Sequence, residues 1–335
     1  MILGLRWYGV LGAAIFLLAT ALMLLLYYGL IPLTGLTGPF YRQYYDFAWY
    51  GYILFADALV YRMKGRSLLS NRFGEFLLLL PLSFFVWEVY EAFDLRLENW
   101  YYVRMMPVAS GGWEAVRVPY THWNIPLYFI AFATVLPGEF LTLELIRTWP
   151  RRRNNAPHRA RWTPFTLTQA KFDLFIFVGV ACIILPLLWP REFFPLTWLW
   201  AFFIFDPINH RAGRPSILYE LSQGRGGLLV QLLLAGFICG GFWETWNFWA
   251  GTKWVYTVPP PFDQLKIFEM PVLGFLGFPP FALECYAMYH YLRALPGIRR
   301  LARGRSHFAY GTSDAKEARP DGRSESVGQG VCPAH

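Results

Sequence analysis

Seven acidic side chains fall within or at the ends of long apolar runs: Asp57, Glu88, Glu91, Glu139, Glu144, Glu244 and Glu284. A carboxyl group in such a setting is costly, and by default it marks a candidate functional site. At helical spacing Glu88 and Glu91 share one face, and Glu244 shares one with Asn247. Trp243, Trp246, Phe248 and Trp249 crowd around Glu244. Aromatic faces stabilise positive charge by roughly 0.5–2 kcal/mol each when desolvated. Apolar surroundings disfavour a carboxylate and keep its proton available. A carboxylic acid among aromatic faces is what protonating an alkene and guiding a carbocation requires. Glu244 and Glu139 are therefore candidate acids, with Glu88, Glu91 and Glu284 as proton partners. Trp243, Trp246, Trp249 and Asn247 are candidates for the wall of a substrate cavity. So are Trp100, Tyr102, Trp254 and Tyr256, just outside the apolar runs.

Each assignment has a plainer alternative. A buried carboxylate also serves by accepting hydrogen bonds from Trp N–H groups or by pairing with an Arg at a helix end. Trp and Tyr just outside a span also form the aromatic belts of membrane proteins. Asp57 and Asp206, each close to an Arg, read as structural. Other chemistries find little support. The six His are scattered, with no H-x-x-x-H or HExxH to place two on one helix face. No P-loop, G-x-S-x-G or strand-linked G-x-G-x-x-G is present. Four Cys without C-x-x-C spacing, three of them in apolar runs, argue against a zinc site and a disulfide framework. No metal and no cofactor is expected.

The elements that must position these residues are membrane helices. The 335 residues are 56% hydrophobic and only 16% charged, which disfavours a soluble domain of this length. Eight apolar segments are long enough, or nearly so, to cross a bilayer: roughly 9–31, 47–63, 74–93, 125–146, 172–189, 194–208, 227–250 and 270–292. The second and sixth are short. The first lacks a cleavage site and is not read as a signal peptide. Of the 30 Lys and Arg, 23 lie at the termini and in alternate loops, and seven on the other side. The positive-inside rule then puts both termini in the cytoplasm, in what reads as a bacterial inner membrane. The net charge of +8 is thus a topology signal, and no nucleic-acid partner is expected. The Arg151–Arg153 run can touch anionic headgroups.

The order of motifs repeats. Asp57, Arg62 and Gly65-Arg66-Ser67 are echoed by Asp206, Arg211 and Gly213-Arg214-Pro215-Ser216. Trp87-Glu88 with Glu91 is echoed by Trp243-Glu244 with Asn247, and W-x-Y occurs at Trp100–Tyr102 and Trp254–Tyr256. Leu141-Thr142-Leu143-Glu144 is echoed by Phe281-Ala282-Leu283-Glu284. The expected fold is an all-α polytopic membrane protein of about eight transmembrane helices, built as two parallel four-helix repeats. Residues 1–150 form the first repeat, 151–171 a basic cytoplasmic linker, 172–295 the second repeat and 296–335 a largely disordered cytoplasmic tail.

These motifs resemble the duplicated membrane domains of the lycopene-cyclase type, found in heterodimeric and fused carotenoid cyclases. Trp100/Tyr102 and Trp254/Tyr256 match that family's W-x-Y outside a span. Leu136-Pro137-Gly138-Glu139-Phe140 partly matches its Pro-x-Glu-Glu-Phe-like motif, whereas Phe278-Pro279-Pro280-Phe281 lacks the adjacent Glu. The resemblance implies a long hydrophobic isoprenoid substrate, a carotenoid or a polycyclic triterpenoid such as a hopanoid. The expected activity is cofactor-independent protonation of a C=C bond, with cyclisation, ring expansion or hydration. Expected partners are the lipid bilayer and other biosynthetic membrane enzymes. A proton-coupled transporter or carrier of a hydrophobic substrate is the alternative from a different class. The charge asymmetry sets a first test. Reporter fusions at Arg153 and in the tail are expected to report cytoplasm, and a fusion near Ser110 the outside; a cytoplasmic signal at Ser110 would sink the eight-span topology.

Overall fold

The computed structural model describes residues 4–108, 113–119, 125–148, 161–258, 260 and 263–301. The Arg151–Arg153 run, Ser110 and the tail beyond Leu301 lie outside the described residues. Of the described residues 71% are helical. Fourteen helices are described: α1 (Trp7–Tyr27), α2 (Thr37–Arg42), α3 (Tyr44–Lys64), α4 (Leu68–Asn71), α5 (Phe73–Leu97), α6 (Ile125–Phe132), α7 (Val135–Thr148), α8 (Gln169–Leu188), α9 (Pro190–Phe193), α10 (Trp200–Arg211), α11 (Ile217–Ser222), α12 (Gly227–Trp249), α13 (Phe278–Leu292) and α14 (Pro296–Leu301). Among the described residues six segments are long and apolar enough to cross a membrane: α1, α5, α6 with α7, α8, α12, and Val272–Leu292 ending in α13.

Two expected spans differ from these six. The segment expected at 47–63 is the 21-residue α3, long enough to cross, but carrying Asp46, Asp57, Arg62 and Lys64. It can hold them because it lies inside the bundle: Ala48, Trp49, Ala56 and Asp57 have no exposed surface. It packs on α1, α7 and α12. Its approach to α1 is close, since a Cβ on Gly12 would stand 2.6 Å from the Gly51 carbonyl oxygen. The segment expected at 194–208 is a 3-10 turn (Phe194–Trp198) followed by the 12-residue α10. By contrast α1, and α8 beyond Asp173, are apolar and expose Leu17, Leu18, Leu174 and Phe177. An all-apolar helix surface of this kind suits lipid.

The expectation of an all-α chain needs one correction. Three strands, β1 (Trp100–Pro107), β2 (Trp113–Val118) and β3 (Thr252–Tyr256), form an antiparallel sheet in the order β2-β1-β3. The register pairs Trp100 with Tyr256 and Tyr102 with Trp254. Side chains alternate across a strand, so each W-x-Y turns both aromatic rings to one face. A ribbon of such short strands leaves no long apolar run, which is why hydropathy passes over it. A two-stranded turn of β4 (Lys266–Ile267) and β5 (Met270–Pro271) lies further along.

Asp57 and Asp206 are structural, held by hydroxyl and backbone N–H donors. Asp57 accepts from Ser67 Oγ (2.7 Å), Leu69 N (2.9 Å) and Tyr8 Oη (2.8 Å). Asp206 accepts from Ser216 Oγ (2.8 Å), Ile217 N (2.9 Å) and Leu218 N (2.8 Å). Ser67 and Ser216 in turn cap α4 and α11. The chain reaches both caps through a left-handed glycine, Gly65 (φ 75°) and Gly213 (φ 64°), a conformation that disfavours a side chain. Each aspartate so ties the end of one helix to the start of the next. Asp57→Ala and Asp206→Ala leave buried donors unmet, and each is expected to cost at least about 2 kcal/mol. Thermal melts of the purified protein in micelles check this; an unchanged melting temperature would remove the caps from the stability of the fold.

Candidate active site beneath the strand ribbon

Two apolar cavities lie under the ribbon and share a wall. Trp87, Tyr102, Trp243, Trp254, Tyr256 and Phe278 line both. The first holds about 820 Å3 of empty space, its opening included, and is completed by Tyr45, Tyr128, Phe132 and Val135. The second holds about 690 Å3 on the same basis and is completed by Phe194, Trp198, Met270 and Phe281. They flank one aromatic wall and form the first and second lobe of the candidate site. Phe278 reaches the shared wall because Gly240 on α12 leaves room; a Cβ there would stand 2.2 Å from the Phe278 ring. The lip of the first lobe is polar, with Arg42, Gln43, Asp46, Arg104, Thr252 and Lys253.

The ribbon places a tyrosine hydroxyl on each of two carboxyl groups. Tyr102 Oη donates to Glu91 Oε1 at 2.5 Å, and Tyr256 Oη donates to Glu244 Oε1 at 2.7 Å. Both tyrosines line both lobes, so each pair stands at the cavity wall. Burial, and then the neighbouring carboxyl group, push both phenols well above their ordinary pKa. Tyr102 and Tyr256 are therefore neutral O–H groups at any physiological pH. The two pairs differ in detail. Glu91 Oε1 also accepts from Trp87 Nε1 (2.8 Å) and Trp100 Nε1 (3.3 Å). Glu244 is fully buried, and its Oε2 has no partner among the described residues. Its tyrosine is held from the other side by Trp254 Nε1, at 2.7 Å.

The geometry also re-registers the two motifs. By sequence Trp87-Glu88 aligns with Trp243-Glu244, but by hydrogen bonds Glu91 corresponds to Glu244. Asp94 then corresponds to Asn247: Asp94 Oδ1 accepts from Trp100 N (3.3 Å), and Asn247 Oδ1 accepts from Trp254 N (2.9 Å). Asn247 Nδ2 also donates to Trp254 O (2.9 Å), so Asn247 latches the strand and does not line either lobe. The shared pattern is Glu-x-x-Asp/Asn followed by W-x-Y, with one residue more between Glu244 and Tyr256.

The remaining expected site residues lie elsewhere. Glu88 lines a separate polar groove, with Glu91, Asp94, Glu98, Tyr102 and Arg117. That groove holds about 1200 Å3, open solvent included. Tyr102 borders the groove and both lobes. Glu284 accepts from Tyr90 Oη (2.6 Å) and from Ala201 N (2.8 Å), holding the first turn of α10 as an anion at a helix N-terminus does. Tyr90 stacks on Trp198 of the second lobe, so Glu284 reaches the cavity only through those rings. Glu139 is buried in α7 beside the Cys239 thiol of α12. Glu144 sits in an ion cluster with Lys64 and Arg147.

Trp246 and Trp249 are placed away from the lobes, contrary to expectation. Trp246 packs on Trp49 (4.7 Å between centroids) and Phe242 (5.0 Å), and Trp249 on Tyr27 (4.7 Å). Neighbouring helices claim the face of α12 that carries them, and only Trp243 turns toward the ribbon. Trp87, Tyr128, Trp198 and Phe278 line the lobes without having been expected at the cavity wall, although Trp87 and Phe278 stand in the repeated motifs. Of these Trp87 carried a signal, four residues before Glu91 and so on its face. Among the described residues no cluster of His, Cys, Asp and Glu could hold a metal ion. Compared with known proteins, the chain matches no family, no curated protein and no solved structure.

Proposed function

We propose that this protein is a membrane enzyme of isoprenoid lipid metabolism that protonates a C=C bond and lets the carbocation cyclise, expand a ring or capture water. The observation that carries the reading is the two-lobed aromatic cavity with a hydroxyl–carboxyl pair at its wall on each side. Such a cavity suits a long apolar chain, and its rings suit a cation formed along it. Glu244 is the acid. With its proton on, the 2.7 Å contact to Tyr256 runs from carboxyl O–H to phenol oxygen, and the phenol proton passes to the alkene. Glu91, with three donors on one oxygen, suits the role of base. It takes back a proton through Tyr102 and exchanges it with water in the polar groove. The balance is one proton in and one proton out, or one proton and one water in with one proton out.

The same reading takes the chain as two parallel four-helix repeats crossing eight times, with the ribbon on the outer face of a bacterial inner membrane. It is supported by the recurring Asp–Ser caps, the recurring Glu–Tyr pairs and the charge asymmetry. Six apolar segments are joined by α3, and by α10 with its preceding turn, as the shorter crossings.

A second reading, proton-coupled movement of a hydrophobic substrate, is favoured by α7. That helix carries Glu139, buried without an ion pair among the described residues, and, farther along, the Glu144 ion cluster. Lipid extraction from cells with and without the gene separates the two, since an enzyme changes lipid structure and a carrier only lipid location. For the enzyme, Glu244→Gln is expected to abolish the new isoprenoid product at unchanged protein level, a loss on the order of 10²–10⁴-fold. Tyr256→Phe is expected to follow it, and Trp246→Phe, outside the cavity, to leave most activity. Full product from Glu244→Gln would move the acid role to Glu139.

A further inference from the structure

The two lobes share a wall but differ at their ends. The second lobe is lined by apolar and aromatic side chains, with Asn99 and the tyrosine hydroxyls as its polar side-chain groups. The lip of the first lobe carries Arg42, Arg104 and Lys253 against one carboxyl group, Asp46. Lys253 is already paired with Glu269 at 2.5 Å, and Asp46 takes a hydrogen bond from Gln43 Nε2 at 2.9 Å. Neither arginine has an ion pair among the described residues. Arg42 lies over the Trp113 ring, and burial together with the nearby Arg104 lowers its pKa. Arg104 faces Thr252 across the β1–β3 register, and the buried Thr252 hydroxyl has no partner among the described residues.

Two like charges and an unmet hydroxyl donor, side by side at the lip of an apolar lobe, are an arrangement that an anion completes. Guanidinium groups match phosphate and carboxylate oxygens in geometry as well as charge. A bare hydrocarbon would leave all three groups unmet. We propose that the first lobe binds the anionic end group of an amphiphilic lipid, a phosphate ester or carboxylate held by Arg42, Arg104 and Thr252. The apolar chain then runs past Trp87, Trp243 and Phe278 into the second lobe. This rests on reading the cavity as the ligand site, and it narrows the substrate to a lipid that keeps its acidic end group. The reaction therefore precedes any step that removes that group.

Binding to the full-length protein in phosphatidylcholine nanodiscs tests this, read by quenching of the tryptophans that line the lobes. The probes are a polyprenyl monophosphate, the polyprenol of the same length, a long-chain carboxylate and inorganic phosphate. The monophosphate is expected to bind on the order of 10-fold or more tightly than the alcohol. Arg42→Gln with Arg104→Gln is expected to erase that advantage while leaving the alcohol's affinity as it was, which also shows the fold is kept. Thr252→Val, which breaks no existing hydrogen bond, is expected to reduce it several-fold. Inorganic phosphate alone is expected to compete poorly. Equal affinity for alcohol and phosphate, or an advantage that survives loss of both arginines, would overturn the anion site and leave the cavity reading standing. No quenching by either polyprenyl lipid would overturn the cavity reading itself. An arginine-dependent preference for the carboxylate would support the site and identify its end group.

Discussion

Main-chain hydrogen bonds between β1 and β3 tie the chain that leaves α5 to the chain that leaves α12. Everything distinctive about the site follows from that pairing. It roofs the lobes, and its register sets Tyr102 beside Trp254 and Trp100 beside Tyr256. The rings of both W-x-Y motifs then face the cavity, and each hydroxyl reaches back to a glutamate on the helix before its own strand. A slip of one residue in either strand would turn its rings to the opposite face. The Asp94 and Asn247 side chains guard against such a slip by bonding the backbone of Trp100, where β1 begins, and of Trp254, in the middle of β3.

The buried carboxyl groups show how an apolar bundle tolerates acids. Asp57, Asp206 and Glu284 accept from backbone N–H groups at helix starts, so they replace water for donors that would otherwise go unmet. Glu144 and Glu220 meet cations, Glu144 with Lys64 and Arg147 and Glu220 with Arg225. Glu91 and Glu244 differ from all of these. Their partners are hydroxyl and indole donors that border the cavity, and neither has an ion pair among the described residues. Glu139 differs again, buried beside the Cys239 thiol and without an ion pair among the described residues. Desolvating a charge is expensive, and these three acids lack the cations or backbone N–H groups that hold the others among the described residues.

The likeness of the two lobes and their inequality come from different levels of the structure. The likeness comes from the Glu–Tyr pair that recurs in each, the glutamate on the helix before the strand that carries the tyrosine. The inequality comes from the ribbon's edge. β1 continues past Tyr102 to Arg104 and pairs with β2, while β3 ends at Tyr256. The longer strand carries its cation to one lobe only. A cavity polar at one end and apolar at the other orients an amphiphile, which a symmetric cavity could not do.

How much of this was legible in the sequence depends on the range of the interaction. The six apolar segments, the acids within them and the W-x-Y motifs follow from local composition, because a helix buried in lipid is apolar along its own length. The structural role of Asp57 and Asp206 was also near the surface of the sequence, since their serine and backbone partners lie only 10–12 residues away. The pairing of Glu91 rather than Glu88 with Glu244 was not, because a one-residue difference in the turn before the strand decides it. Nor could periodicity say which tryptophans of α12 face the cavity. Trp243, Trp246 and Trp249 are alike in sequence, and only the neighbours on each side of the helix, α1 and α3 against the ribbon, separate lining from packing. Sequence determined which residues could carry chemistry; long-range strand pairing decided which of them meet, since hydrogen bonds between distant segments leave no local periodicity to read.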